Sequence, residues 1–223
     1  MSKNQVFEKI EMPKSVSDLV LEQLRKDILE SRFELGEKLS EQRLAEMYGV
    51  TKAPIRACYI RLESEGLLEI KPRAGAYVFN PSDQQVTALC ELRVALEVEA
   101  IALAMERNYE VLKSGLMRVQ KGMLDCLGKA QLHRYQQLDA ELHLVIIESA
   151  DSAYLHETYC NKVDSRFAAL RNRFSRDSCF EETSMNEHNA LIDSILHRDL
   201  AKAQSLLRAH ISPKPYYFTA LNV

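Results

Sequence analysis

Between Ser40 and Val78 the hydrophobic period of this chain switches from that of a helix to that of a strand, with turn residues at each change. EQRLAEMY, behind Ser40, puts Leu44, Ala45 and Tyr48 on one side of a short helix that Gly49 ends. Thr51 stands where a second N-cap belongs, and from Lys52 to Glu65 a buried stripe runs through Ile55, Cys58 or Tyr59, and Leu62. Pro54 falls in the first turn, where its missing N–H breaks no hydrogen bond, and Gly66 is placed to stop the helix. LLEI, the turn KPRAG and AYVF then read as a β-hairpin. Upstream, SVSDLVLEQLRKDILES spaces Val20, Leu24 and Ile28 by four residues with Leu21 alongside, an amphipathic helix that stops near Phe33 before the loop ELGEK. Two short helices joined by a tight Gly-containing turn make a helix-turn-helix; a helix before and a hairpin after complete a winged helix, predicted for residues 1–80.

A recognition helix of this kind reads DNA with its N-terminal residues in the major groove. That end offers Thr51, Lys52 and Arg56, with Arg56 one turn beyond Lys52 on the same face. Lys and Arg suit guanine edges and phosphates, and free N–H groups at helix starts hold phosphate oxygens. Arg73, at the hairpin tip, is within reach of a neighbouring groove, and Gly75 lets the chain turn closely there. The basic stretch is local. Residues 1–80 carry 13 Lys+Arg and 13 Asp+Glu, while the remainder carries 16 and 19, so the chain as a whole is at −3. Tight DNA binding by such a module calls for two copies acting together.

Asn80-Pro81 breaks off the hairpin, and Ser82 or Asp83 is placed to cap a new helix. Helical stripes then recur: Val86, Leu89, Leu92 and Leu96 in the first, followed by helices near 109–126, 130–149, 153–175, 182–196 and 200–211. Six helices with short connections predict an all-α antiparallel bundle over residues 81–223, so the fold class is mainly α. Asp139 and His143, four apart in LDAELHLVI, share one helix face. His188 lies about ten residues before a tight turn at 197–199 and His210 about eleven after it, which sets them at similar heights in a helical hairpin. One carboxylate and three imidazoles suit a borderline divalent cation such as Zn²⁺, Ni²⁺ or Mn²⁺, with open positions for water or a carboxylate. His133, His156 and His197 have no such placement.

The run LRKDILESRFELGEKLSEQRLAEMYGVTKAPIRACYIRLESEGLLEIKPRAGAYV resembles the winged helix of GntR-family bacterial regulators over about 60 residues. The resemblance implies DNA contacts at Lys52, Arg56 and Gly75. It also marks departures at Gln42 and Lys52, where relatives carry Arg, and at Ala53, where Thr is common. The remaining half is similar to the FCD effector domain of the FadR-like branch, whose metal set is an Asp and His four apart, a His in an EH motif, and a His 22 residues on. Asp139, His143, His188 and His210 match all four. The resemblance further implies a small organic-acid effector, a homodimer on a palindromic operator, and usually repression. The helix count favours the VanR-like variant, and Asp151 replaces a frequent Asn. Arg93, in LCELRVALE, matches a position facing the family's ligand cavity; Arg171 is a second candidate for an effector carboxylate.

Two other readings of the Asp/His₃ set remain at this point: a metalloenzyme that activates water, or a structural metal site with no effector. Against the enzyme, Glu141, two residues from Asp139, faces away, so no general base accompanies the metal, and no enzymatic activity is expected. No apolar run reaches membrane-spanning length and the first residues lack a signal-peptide pattern, which predicts a cytoplasmic protein. Five cysteines without a CxxC pair exclude a disulfide framework and a cysteine zinc site; they are expected in or near the cores.

Overall fold

The computed structural model describes residues 14–129, 131–174 and 180–219. Ser15 accepts a hydrogen bond from the amide of Asp18 and opens α1 (Val16–Leu29), whose face of Val20, Leu21, Leu24 and Ile28 is buried. Ser40 likewise caps α2 (Glu41–Tyr48), which ends at Gly49 in the left-handed region at φ 65°. In α3 (Lys52–Ser64) Ile55, Cys58, Tyr59 and Leu62 all face inward, so both alternatives for the middle of the stripe are buried. Thr51 occupies the N-cap with extended backbone, but its hydroxyl makes no capping bond, a correction to its expected role. Leu24, Ile28, Ile55 and Leu62 are wholly enclosed, each contributing about 1.5–3 kcal/mol of hydrophobic stabilisation.

The hairpin is β2 (Leu68–Lys71) and β3 (Gly75–Val78), antiparallel, with Leu68 opposite Val78 and Lys71 opposite Gly75. A third strand, β1 (Lys38–Leu39), pairs with the other edge of β3, giving the order β1-β3-β2. The sequence predicts only a loop there, because two residues are too few to display an alternation.

The bundle begins at α4 (Asp83–Arg107), where Ser82 and Gln85 form a capping box. It continues through α5 (Tyr109–Cys126) and α6 (Leu132–Ser149). Gly115 brings these two together: a methyl group added there would lie 2.7 Å from Val145 Cγ1. The helix expected at 153–175 is continuous in direction but composite, with α7 (Ala153–Tyr159), a π-helical turn (Cys160–Asp164) and α8 (Ser165–Phe174). Its apolar residues Leu155, Tyr159, Val163 and Phe167 recur every fourth position. That spacing drifts about 40° per step around an α-helix, and a wider turn brings the stripe back toward one side. The domain closes with α9 (Phe180–Leu196), α10 (Leu200–Ile211), capped by Asp199, and α11 (Pro215–Thr219), a short helix that the sequence does not predict. The architecture is mainly α, a winged helix followed by a helical bundle.

The helix α8 also reaches the winged helix. Ala169 is buried within that region's apolar cluster, and Arg173 Nη2 donates to the Phe33 carbonyl at 2.7 Å. Gly66, at φ 75°, lies so close beneath the Arg166 guanidinium that an added methyl would overlap it. Cys58, Cys90 and Cys126 are buried free thiols and Cys160 is half-buried; Cys179 lies outside the described residues. No described helix is long and apolar enough to cross a membrane.

Candidate metal centre and nucleic-acid interface

Three helices carry the four candidate ligands to one point. Asp139 and His143 come from α6, His188 from α9 and His210 from α10, and one ligand atom from each lies within 4.8 Å of all the others. The Nε2 atoms converge: His188 to His210 at 3.2 Å, His210 to His143 at 3.3 Å, with Asp139 Oδ1 3.4 Å from His188 Nε2. His143 and His188 are fully buried, Asp139 nearly so, and His210 partly.

The outward nitrogens are held by groups that sequence reasoning does not single out. His143 Nδ1 meets Glu97 Oε2 at 2.6 Å, and His210 Nδ1 meets Glu187 Oε2 at 2.7 Å. His188 Nδ1 has a longer contact, 3.5 Å, with Ser184 Oγ, which also donates to Asp139 Oδ1 at 3.5 Å. Carboxylates accept and do not donate, so each Nδ1 facing one carries the proton and each Nε2 turns its lone pair inward. This arrangement, with carboxylates behind inward-facing imidazoles, is how proteins orient histidines on a metal. Burial drives His143 well below the ordinary imidazole range, helped by the nearby positive Arg93, and takes His188 down to about 3. Both rings therefore stay neutral and able to coordinate. Burial would raise the Asp139 carboxyl, but Arg171, paired with its Oδ2, and the surrounding histidines hold it well below the usual carboxylate range. Glu187 is likewise pulled to about 2 against its burial by His210 and Lys214. Three imidazoles converging through Nε2 and an anionic carboxylate fit a divalent cation; a metal there would supply Lewis acidity and open positions toward an oxygen ligand.

Both candidate arginines border this cluster. Arg93, from α4, is buried; its Nε donates to Glu97 at 2.6 Å and its guanidinium lies 4.0 Å over the Phe167 ring. Its Nη2 is enclosed with no hydrogen-bond partner. Arg171 approaches the same ring at 5.3 Å, and also lines a cavity of about 430 Å³ between α1 and the α6–α8 side of the bundle. Tyr217 of α11 packs edge-on against Phe167. His133, His156 and His197 lie apart from the cluster, beside Glu30, Cys160 and Asp193 respectively.

The winged-helix candidates are arranged differently. Gln42, Thr51, Lys52, Ala53, Arg56, Arg73 and Gly75 are all exposed. Arg56 Nε donates to Glu41 at the start of α2 at 2.7 Å, and its side chain stays largely exposed. Gln42 donates to Glu46 along its own helix. Arg73 adopts a left-handed backbone at φ 62°, which turns the hairpin tip, and Gly75 comes two residues later at φ 113°.

An exposed basic helix-turn-helix face followed by a helical bundle with a buried Asp/His cluster is the architecture of a two-part transcription regulator. Residues 17–78 match the family described as bacterial regulatory proteins, gntR family, and residues 88–213 match the FCD domain. The chain belongs to the FCD-containing branch of the GntR regulators; it is a DNA-binding transcriptional regulator and not an enzyme. It is 24% identical over 195 residues to the HTH-type regulator YdhC of Bacillus subtilis, with 85% of each chain covered. It is 24% identical over 183 residues to the gluconate operon transcriptional repressor of the same organism, covering 80% of this chain and 75% of that one. Among solved structures Escherichia coli McbR/YncC superposes with a TM-score of 0.74 at 19% identity, covering 89% of this chain and 94% of the other.

Proposed function

We propose that this regulator is a repressor whose operator affinity is set by a small carboxylate bound beside a divalent metal in the bundle. Asp139, His143, His188 and His210 hold the metal, and Arg93 takes the acid's carboxylate through Nη2, with Arg171 beside the same Phe167 ring. The observation that carries this reading is the buried Nη2 of Arg93 with no partner, a few residues from a ready-made metal cluster. Leaving a buried charged donor unsatisfied costs more than an ordinary hydrogen bond returns, and an anionic ligand removes that cost. The repressor of a gluconate operon among its relatives supports a sugar acid or hydroxy acid as the ligand class.

DNA binding falls to a homodimer that presents two recognition helices to a palindromic operator, with Lys52 and Arg56 toward base edges, Thr51 and the helix start toward phosphate, and Arg73 with Gly75 at the wing. Ala53 and Gln42 stand at family contact positions with shorter or uncharged side chains, which predicts an operator distinct from those of Arg- and Thr-bearing relatives. The acid shifts the population between DNA-competent and incompetent arrangements to the extent that it binds one better. The test is thermal-shift screening of metal-loaded chain against organic acids, followed by mobility shift on its own upstream DNA. One or more acids should raise the melting temperature and weaken the shifted complex. A metal whose removal unfolds the bundle, with no acid changing melting or DNA affinity, would establish a purely structural site instead.

A further inference from the structure

Glu97 touches both parts of the proposed sensor. Its side chain is wholly enclosed and receives three donors: Arg93 Nε at 2.6 Å and the Tyr159 hydroxyl at 3.1 Å on Oε1, and His143 Nδ1 at 2.6 Å on Oε2. The comparable carboxylate behind His210 is Glu187, a third exposed and tied to Lys214 at 2.9 Å. One carboxylate therefore links His143 to the buried Arg93, while the other links His210 to a lysine near the surface.

We propose that Glu97 is the positioning residue that couples the metal centre to the effector-binding arginine. Its Oε2 fixes the Nδ1–H tautomer of His143, so that Nε2 points at the cation. Its Oε1 pins Arg93 by Nε and leaves the buried Nη2 without a hydrogen-bond partner. A carboxylate ligand arriving at Nη2 shares the guanidinium with Glu97 and so changes how strongly Glu97 polarises His143. In an enclosed, low-dielectric network such effects pass along the hydrogen bonds. Coupling of this kind is reciprocal, so the metal also tunes the affinity for the acid.

This inference rests on the reading of the cluster as a metal site, and its test separates the two. Zn²⁺ affinity is measured on the full chain by competition with a chromophoric chelator, for the wild type, Glu97→Gln, Arg93→Gln, Glu187→Gln and the two doubles containing Arg93→Gln. Glu97→Gln should weaken Zn²⁺ by about ten- to a hundredfold. The Glu97→Gln/Arg93→Gln double should depart from the product of its single effects by more than about fivefold, whereas Glu187→Gln/Arg93→Gln should match its product within about twofold. Multiplicative behaviour in the first double would overturn the coupling. Nitrogen-15 correlation spectra of the metal-free wild type supply a measurement free of folding defects: His143 should be protonated on Nδ1, and an Nε2–H tautomer would overturn the assignment. A wild type that binds no Zn²⁺ at all would refute the metal reading, while the tautomer would still decide the role of Glu97.

Discussion

In the winged helix the side chains aimed at a partner lie outside, on a surface with no net charge excess, and each is loosely held; Arg56 keeps one nitrogen on Glu41 and offers the rest. In the bundle the functional groups lie inside, and nearly every polar atom is assigned: Glu97, Glu187 and Ser184 back the histidines, and Arg171 balances Asp139. The difference comes from solvent. An exposed cation costs little to leave unpaired and is screened by salt, so it can wait for DNA. A buried one must be paired or else be waiting for a ligand, which makes Arg93 Nη2 the informative exception. The two regions meet at α8, where Arg171 faces the metal cluster and Arg173 the Phe33 carbonyl.

The largest effect that would sharpen this contrast is expected from His188→Ala. Removal of a buried ligand should weaken divalent-metal binding by a hundredfold or more, on the order of or beyond the loss from disturbing an orienting group, as read by chelator competition. Unchanged metal affinity would rule the cluster out as the metal centre. Arg56→Ala comes next, with a loss of about 1–3 kcal/mol in operator binding, roughly five- to 150-fold by anisotropy titration, and intact metal binding. Loss of metal binding in that variant would break the separation of the two regions. Gly115→Val should destabilise the bundle by about 1–3 kcal/mol through its clash with Val145, lowering the melting temperature by a few degrees or more while the winged helix keeps its helical signal. Ser82→Ala removes a capping box for about 1 kcal/mol, the smallest shift, visible in denaturant midpoint with an unchanged slope.

Much of the fold is legible in the sequence because its punctuation is local: serines at 40 and 82 cap helices, Gly49 stops one, and the hairpin alternates by two. Elements without a period of their own escape that reading. The two-residue β1 exists only because β3 offers an open edge, and the π turn only because a four-residue apolar spacing must be kept on one side. At the site, the four ligand positions are visible through their spacing and their resemblance to the FCD pattern. Glu97 is not, since an Arg and a Glu four apart on a helix ordinarily make a solvated pair. Packing against α6 and α7 encloses that pair, where Tyr159 meets one Glu97 oxygen and His143 the other. Glu187, adjacent to His188 in the EH motif, carries a signal that becomes a role only once α10 places His210 beside it.

The most direct test of the central claim is the operator affinity of metal-loaded wild type and Arg93→Gln, each titrated with the acid that gives the largest thermal shift. The acid should weaken wild-type DNA binding at least about tenfold, a coupling within the usual allosteric range, and leave Arg93→Gln unmoved. An equal response in both proteins would contradict the assignment of Arg93 as the effector's anchor.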